Sequence, residues 1–231
     1  MITQASLEAV LGHYQAQDWR ADLVVVTGDL IQDDSADAYA HFRRLLAELA
    51  LPVYCLPGNH DVPQLMRTAL AEPPFFYCRS VELDNWLIVC LDSSVRGTAG
   101  GHISAAELAR FDRLSSDSGA DNVLACLHHP PVALGSKWLD SVGLDNSDEV
   151  LQRFAASGRV RVVIAGHVHQ VYDADHGGIR ILATPSTCRQ FAPGRDEFAV
   201  SDEPPAYRRF ELRPEGSFDH ELIWVNEAQP S

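Results

Sequence analysis

The chain has 231 residues, of which 46% are hydrophobic, and this predicts a single domain over residues 1–231 with a sizeable core. Its 18 basic and 32 acidic residues give a formal net charge of −14, which argues against a nucleic-acid or anionic-membrane partner. No apolar run approaches the roughly 20 residues of a membrane-spanning helix, and the N-terminus lacks a signal-peptide pattern, so we expect a cytoplasmic protein.

Helices and strands are predicted to alternate in the first part of the chain. An amphipathic helix comes first, indicated by apolar residues at helical spacing, which are Leu7, Val10, Leu11 and Tyr14. The run DLVVVTGD then predicts a buried strand that ends at Gly28 and Asp29. A helix over about 35–50 follows, and the short strand PVYCLP leads directly into the segment GNHD at 58–61.

The alternation continues to about residue 170 and then changes. NWLIVCLD and NVLACLHHPP read as buried strands, and the helix between them begins where Ser104 and Glu107 have the spacing of a capping box. A helix over about 147–157 precedes the strand in VRVVIAGHVH. From Val171 onward short strands replace long helices, and a hairpin is predicted where VYDAD and IRILATP flank HGG. We therefore expect an α/β fold of packed sheets with helices outside.

Side chains that can bind metal follow four of the predicted strands. In chain order they are Asp29, Asn59, His60, His128, His129, His167 and His169. One histidine after an apolar run is usually a core or surface residue, but four such strand ends together indicate a common site. Carboxylate, amide and imidazole groups without a thiolate favour a transition metal such as Mn, Fe or Zn.

Four short motifs resemble those of the calcineurin-like metallophosphoesterase family: GD at 28–29, GNHD at 58–61, HHPP at 128–131 and GHVH at 166–169. Two longer segments, SKWLDSVGLDNSDEV and LATPSTCRQFAPGRDEFAVSDEPPAYRRFEL, resemble the class III cyclic-AMP phosphodiesterases of bacteria within that family. This resemblance covers essentially the whole chain. It implies a four-layer α/β/β/α sandwich of the metallophosphoesterase type, with two divalent metals such as Fe or Mn at one edge.

The resemblance also implies a role for each motif residue. The metal ligands would be Asp29, Asn59, His128, His167 and His169. Asp29 would bridge the two metals, His169 would serve one of them, and the remaining ligands would complete the other. His60 would donate a proton to the leaving alkoxide, and substrate would meet Asp29, Asn59, His60 and His169. The implied reaction is hydrolysis of a small-molecule cyclic nucleotide, 3′,5′-cyclic AMP, to AMP by a hydroxide held between the metals.

Several residues near the motifs allow two interpretations. His60 is either the proton donor or a turn residue that hydrogen-bonds its own loop. Asp61 either orients His60 or caps the helix that starts near Pro63. His129 either touches substrate phosphate or packs, and Trp138 either stacks on a purine or anchors its loop. The five cysteines, odd in number and without a C-x-x-C pair, are interpreted as reduced core residues.

One part of the family pattern is missing. The pattern begins with Asp-x-His at the end of a first strand, and no histidine in this sequence follows an aspartate at that spacing. We therefore expect the domain to be N-terminally incomplete and the sandwich to lack its first strand. Because the site of His169 would keep only that ligand and Asp29, we expect one metal to bind well and the second weakly. Two alternatives to a cyclic-AMP enzyme remain, namely a broader phosphodiesterase or phosphomonoesterase, and a non-catalytic nucleotide- or partner-binding protein.

Overall fold

The computed structural model describes residues 3–226, which fold around two β-sheets. The first sheet is parallel, and its three strands lie in the order β1 (Val24–Val26), β2 (Val53–Cys55) and β3 (Phe75–Tyr77). β-Branched and aromatic residues dominate these short strands, as expected for a buried pleated surface. Within the described residues β1 is an edge strand, and its three valines are half-buried.

Three helices pack on the outer face of the first sheet: α1 (Thr3–Gln15), α2 (Ala36–Ala47) and α3 (Pro63–Ala69). The hydroxyl of Ser35 accepts the N–H of Ala38 at 3.1 Å and so caps the start of α2. This helix ends at Ala47, three residues earlier than the predicted limit of 50. Its buried face carries Tyr39 and Phe42, which lie in one core cluster with the first sheet.

The second sheet has six strands. In chain order they are β4 (Ser80–Leu83), β5 (Trp86–Cys90), β6 (Asn122–Leu127), β7 (Val160–Ala165), β8 (Tyr172–His176) and β9 (Ile179–Ala183). Their spatial order is β4-β5-β6-β7-β9-β8, with parallel pairing in the centre and an antiparallel strand at each edge. β8 and β9 form the hairpin predicted around HGG, and Gly177 and Gly178 supply the positive φ angles of its turn.

Three further helices follow strands of the second sheet: α4 (Ala105–Asp117), α5 (Lys137–Asp140) and α6 (Ser147–Ser157). The bounds of α6 agree with the predicted 147–157. Half of the predicted capping box is present, because the Ser104 hydroxyl accepts the Glu107 N–H at 3.2 Å. The Glu107 carboxylate instead accepts the N–H of Asp92 at 3.0 Å. Helices α4 and α6 pack on the outer face of this sheet, where the rings of Phe111 and Phe154 lie 4.8 Å apart.

The last part of the described chain forms two hairpins, in keeping with the predicted change to short strands after Val171. One pairs β10 (Gln190–Phe191) with β11 (Val200–Ser201), and the other pairs β12 (Ala206–Leu212) with β13 (Phe218–Trp224). None of the helices in residues 3–226 is long and apolar enough to span a membrane.

Alternate side chains of β2 show how the layers are built. Val53 and Cys55 pack into the cluster with α1, α2 and α3, whereas Tyr54 and Leu56 pack against the second sheet. This alternation is the period-two pattern of a strand buried on both faces. The fold therefore has four layers: one group of helices, the first sheet, the second sheet and the other group of helices. This confirms the predicted α/β/β/α sandwich. Of the cysteines, Cys55, Cys90 and Cys126 are buried in the core and Cys78 and Cys188 are half-buried.

Candidate metal centre

The predicted ligands come from the carboxyl ends of four parallel strands in two different sheets. Asp29 follows β1 and Asn59 follows β2 in the first sheet. His128 follows β6 and His167 follows β7 in the second sheet. Parallel pairing brings the ends of neighbouring strands to one edge, and the packing of the two sheets brings the two edges together. These four side chains therefore meet at one end of the sandwich.

Donor atoms of the four side chains lie at the separations expected for ligands of one cation. His128 Nε2 lies 3.4 Å from Asp29 Oδ2 and 3.1 Å from Asn59 Oδ1. His167 Nδ1 lies 3.0 Å from the same Asn59 oxygen and 3.2 Å from His128 Nε2. Atoms bound to one cation at about 2.1 Å lie roughly 3.0–3.4 Å from each other in octahedral or tetrahedral geometry. The donor set thus fits a divalent transition metal with nitrogen and oxygen ligands.

Glycines in the motifs allow this close approach. A Cβ atom on Gly58 would lie 2.1 Å from Asp29 Oδ1, and one on Gly28 would lie 2.4 Å from His128 Nδ1. Gly28 also has a φ of +95°, a conformation that other residues rarely adopt. Any side chain at these two positions would displace a predicted ligand, which explains why glycine precedes the ligands in GD and GNHD.

Backbone carbonyl groups orient three of the histidines. Each of these imidazoles donates one ring N–H to a carbonyl oxygen and so keeps the lone pair of the other nitrogen available, as metal-binding histidines do. The free nitrogens of His128 and His167 are the two that face Asn59. The carbonyl acceptors are Thr27 for His128 at 2.7 Å, Val142 for His167 at 3.1 Å and Arg189 for His169 at 2.6 Å.

The charges of the cluster stabilise a cation. Burial acts to raise the pKa of Asp29, but the adjacent His128 outweighs it and leaves that pKa well below its ordinary value. Burial acts to lower the pKa of His128, but the Asp29 carboxylate raises it above its ordinary value. Burial, together with the charge on His128, holds the pKa of His167 well below its usual range. A carboxylate that stabilises a proton on His128 would equally stabilise a metal ion beside it.

Three predicted ligands have backbone conformations that residues other than glycine rarely adopt, with φ of +56° at Asp29, +65° at His167 and +47° at His169. Such conformations cost on the order of 1–3 kcal/mol each and cluster at functional sites. The segment GHVH is a loop and not part of a strand, because β7 ends at Ala165. In this loop His167 faces Asn59, whereas His169 is bonded to the carbonyl of Arg189.

His169 lies outside the group of four ligands. Its ring stacks face to face on Phe191, with centroids 4.3 Å apart and planes 3° apart. This stacking and the bond from Nδ1 to the Arg189 carbonyl fix the orientation of the ring and leave Nε2 without a hydrogen-bond partner in the described part of the chain. Burial lowers the pKa of His169, so the imidazole is neutral and suited to bind metal. Phe191 is a contact that the sequence did not predict.

Asp61 connects the loops that carry Asp29 and Asn59. Its Oδ2 accepts the N–H of Gly58 at 2.9 Å, and both of its oxygens lie 3.2 Å from the N–H of Leu30. Its Oδ1 accepts the hydroxyl of Tyr39 at 2.9 Å. No sequence signal indicated this role of Tyr39, which lies on the apolar face of α2 and packs in the core cluster. Asp61 and Tyr39 therefore hold the two loops in place from behind the ligands.

Neither interpretation of Asp61 from the sequence describes these contacts. The residue at the N-cap of α3 is Val62, which makes no side-chain capping bond, so the capping prediction is wrong. None of the hydrogen bonds of the Asp61 carboxylate within residues 3–226 goes to His60. His60 itself is exposed, and its backbone N–H, not its ring, donates to Asp29 Oδ1 at 3.0 Å.

His129 packs and does not face the centre. Its ring is fully buried, Nδ1 lies 2.8 Å from the Ser93 hydroxyl, and Nε2 donates to the Ala99 carbonyl at 3.1 Å. The ring nitrogens of His128, His129 and His167 lie within 4.8 Å of one another, but both nitrogens of His129 are already bonded. Burial and the charge on His128 lower the pKa of His129 to about 3. The packing interpretation is confirmed for this residue.

Trp138 anchors its loop, which was one of its two interpretations. Its half-buried ring packs edge-on against Phe191 at 5.1 Å and against Phe198 at 5.3 Å. Trp138 and Phe191 also pack against the buried residues Leu139, Val168 and Ala183. The ring therefore connects α5 with the hairpin of β10 and β11.

Comparison with known proteins gives concordant results for the sequence and for the fold. A family model described as calcineurin-like phosphoesterase matches residues 3–171. The 3′,5′-cyclic adenosine monophosphate phosphodiesterase CpdA of Pseudomonas aeruginosa is 38% identical over 228 residues, covering 99% of this chain and 84% of that protein. The protein of the same name from Escherichia coli K12 is 37% identical over 221 residues, covering 95% of this chain and 80% of that protein. A solved structure of a dimetal phosphatase from Danio rerio shares the fold, with a TM-score of 0.64 and 16% identity over 97% of this chain and 89% of that one.

Proposed function

The chain belongs to the calcineurin-like phosphoesterase family, and from this membership we propose that it hydrolyses 3′,5′-cyclic AMP to AMP. The observation that carries the proposal is the convergence of four donor atoms around a position of the size of one cation, in a chain whose relatives are named cyclic-AMP phosphodiesterases. Family membership supports metal-dependent phosphoester hydrolysis, and the names of the relatives support the cyclic nucleotide.

Asp29, Asn59, His128 and His167 would hold a divalent cation, with Mn or Fe suited to this mixture of oxygen and imidazole ligands. A bound cation would polarise a phosphoryl oxygen and activate water for attack on phosphorus. The protein prepares the position in advance, because carbonyl groups orient the imidazoles and Asp61 fixes the loops on which the oxygen ligands lie. The chain has a net charge of −14, which would repel an anionic phosphate. A bound cation at this position would offset that repulsion.

A second cation would have fewer ligands from the described residues. Asp29 can offer its other carboxylate oxygen, and His169 can offer Nε2, because its Nδ1 is bonded to the Arg189 carbonyl. Two ligands bind a cation less tightly than four, so we propose that this chain binds one cation tightly and a second one weakly.

His60 would act as the general acid. Hydrolysis breaks the bond between phosphorus and O3′, forms a bond between phosphorus and a water oxygen, and places a proton on O3′. His60 follows Asn59 directly and is anchored to Asp29 through its backbone N–H, while its imidazole is exposed to an incoming ligand. A positioned acid of this kind contributes about 10²- to 10⁴-fold in rate.

The proposal is tested with the purified chain after removal of metal by a chelator and reloading with Mn or Fe. We expect the reloaded protein to convert cyclic AMP to AMP and the stripped protein to be inactive. Cyclic GMP and bis(p-nitrophenyl) phosphate are assayed in parallel. If the loaded protein leaves cyclic AMP intact but cleaves another phosphoester, the substrate assignment is wrong and a broader phosphoesterase replaces it.

A second candidate is a nucleotide-binding protein without turnover, and the two-ligand position at Asp29 and His169 favours it. Counting metals separates the two functions. About one metal per chain with AMP binding and no hydrolysis at any Mn concentration would support the binding protein, whereas turnover that rises as a second metal binds would support the enzyme.

A further inference from the structure

Three aromatic rings beside the metal centre form a cluster that metal binding does not use. We call Trp138, Phe191 and Phe198 the aromatic patch. Each ring meets the other two edge-on, with centroids 5.1, 5.3 and 5.4 Å apart. Phe198 is 61% exposed, the largest value among the exposed large hydrophobic residues of the described chain. With more than half of its surface exposed, this phenylalanine presents apolar ring surface to solvent.

The aromatic patch is continuous with the metal centre on two sides. Phe191 stacks face to face on the proposed ligand His169 at 4.3 Å. The segment that carries Trp138 ends near Val142, whose carbonyl accepts the ring N–H of the ligand His167 at 3.1 Å. A molecule bound through its phosphate at the metal centre would therefore extend over neighbouring rings.

Phe198 is held in its exposed position by the hairpin on which it lies. The β10–β11 pairing continues into the loop, where Ala192 N–H donates to the Ala199 carbonyl at 2.8 Å. The buried hydroxyl of Ser136 accepts the N–H of Gly194 at 3.0 Å, and Lys137 forms an ion pair with Asp196. These contacts hold the hairpin against α5. An exposed ring that is already ordered loses little entropy when a flat ligand stacks on it.

We propose that the aromatic patch is the nucleobase subsite of this protein, with the adenine of the nucleotide stacked on the exposed face of Phe198. This inference rests on the proposed function, since it assumes a nucleotide phosphate at the metal centre. An aromatic side chain and a purine form a favoured pair because every base has a π face. Trp138, considered above as a purine-stacking residue, supports the subsite from below and does not itself contact the base.

The test measures AMP and ribose 5-phosphate binding to the Mn-loaded chain by calorimetry, because the two ligands share the sugar and phosphate and differ in the base. We expect Phe198→Ala to weaken AMP binding about 5- to 150-fold, the range that loss of one base–aromatic stack produces, and to leave ribose 5-phosphate binding unchanged. Phe198→Trp should retain AMP binding, because the aromatic face is kept. Val95→Ala, a matched change at another exposed apolar residue, should alter neither.

Each other result overturns the proposal. Phe198→Ala could leave AMP binding unchanged or weaken both ligands equally, and in either case the base does not stack there. Wild-type protein that binds ribose 5-phosphate and AMP equally would show that there is no base subsite. Sedimentation measures the oligomeric state of each variant. If Phe198→Ala dissociates a dimer and leaves AMP binding unchanged, the aromatic patch is a protein interface and not a base subsite. Failure of the proposed function can be distinguished from failure of this inference. The proposed function fails if wild-type protein does not hydrolyse cyclic AMP, and the base subsite fails if AMP binding does not depend on Phe198.

Discussion

The buried hydroxyl of Tyr39 donates a 2.9 Å hydrogen bond to the carboxylate of Asp61. The same hydroxyl accepts the N–H of Val62 at 2.9 Å, so one side chain of α2 is bonded twice to the loop after Asn59. Burial raises the pKa of Asp61 above its ordinary value, although the bonds from Gly58, Leu30 and Tyr39 act to lower that pKa. These three donors therefore stabilise the charged carboxylate. The pair therefore ties a helix of the outer layer to the loops that carry the predicted metal ligands.

Replacing Tyr39 by Phe should destabilise the fold. The change removes one donor to a buried carboxylate and one acceptor of a backbone N–H, so we expect a loss of about 1–3 kcal/mol in the free energy of unfolding. Urea denaturation measures it. Tyr54→Phe is the matched control, because Tyr54 is also a buried tyrosine but its hydroxyl makes no hydrogen bond to a described residue. Equal stability losses in the two variants would contradict the role of the Tyr39 hydroxyl.

Replacing Gly58 by Ala should disrupt the metal centre. The added Cβ would lie 2.1 Å from Asp29 Oδ1 and 2.5 Å from the Asp29 backbone nitrogen, and a carboxylate tied to His60 N–H cannot move aside freely. We expect weaker Mn binding in equilibrium titration of the variant. Gly119→Ala is the control, since nothing lies within 4 Å of a Cβ built there. Normal Mn affinity in Gly58→Ala would show that the two loops are looser than their contacts indicate.

Removing one imidazole should weaken metal binding severely. His167→Ala deletes a proposed ligand atom that lies 3.0 Å from Asn59 Oδ1. Loss of a residue that only hydrogen-bonds to a metal ligand lowers metal affinity roughly 10- to 100-fold. Because His167 is itself a proposed ligand, we expect its loss to lower Mn affinity by more than that. The metal content of dialysed protein, determined by mass spectrometry, measures this. His102→Ala is the control, because His102 is exposed and bonded to Asp145 away from the centre; a similar loss there would point to nonspecific binding.

Replacing His60 by Ala should slow the reaction without removing metal. If His60 is the general acid, as proposed, it assists departure of O3′, which is a poor leaving group. We therefore expect cyclic-AMP turnover to fall about 10²- to 10⁴-fold. Cleavage of bis(p-nitrophenyl) phosphate should fall much less, because p-nitrophenolate leaves without a proton. The two turnover numbers and the metal content are measured on the same preparation. An equal fall for both substrates would show that His60 serves the centre in another way.

Much of the site was predictable from the sequence, because each ligand directly follows an apolar strand. The strand endings of β1, β2, β6 and β7 put Asp29, Asn59, His128 and His167 where parallel pairing brings neighbouring strand ends together. The short strand β2 and the bounds of α6 were likewise predicted from local patterns. Local periodicity carries this information because each face of a helix or strand must be apolar where it is buried.

Contacts between residues distant in sequence were decided only by the tertiary structure. Asp61 was expected to cap α3 or to orient His60, and instead it bonds Leu30 and Tyr39, more than twenty residues away. Phe191 stacks on His169, and His129 turns inward to Ser93. Hydrogen bonds and ring contacts of this kind depend on how two sheets and their helices pack, which no local pattern records. The sequence by itself thus determined which side chains are candidates for the metal centre. Tertiary packing decided which of them meet, which residues hold them in place and what surface lies beside them.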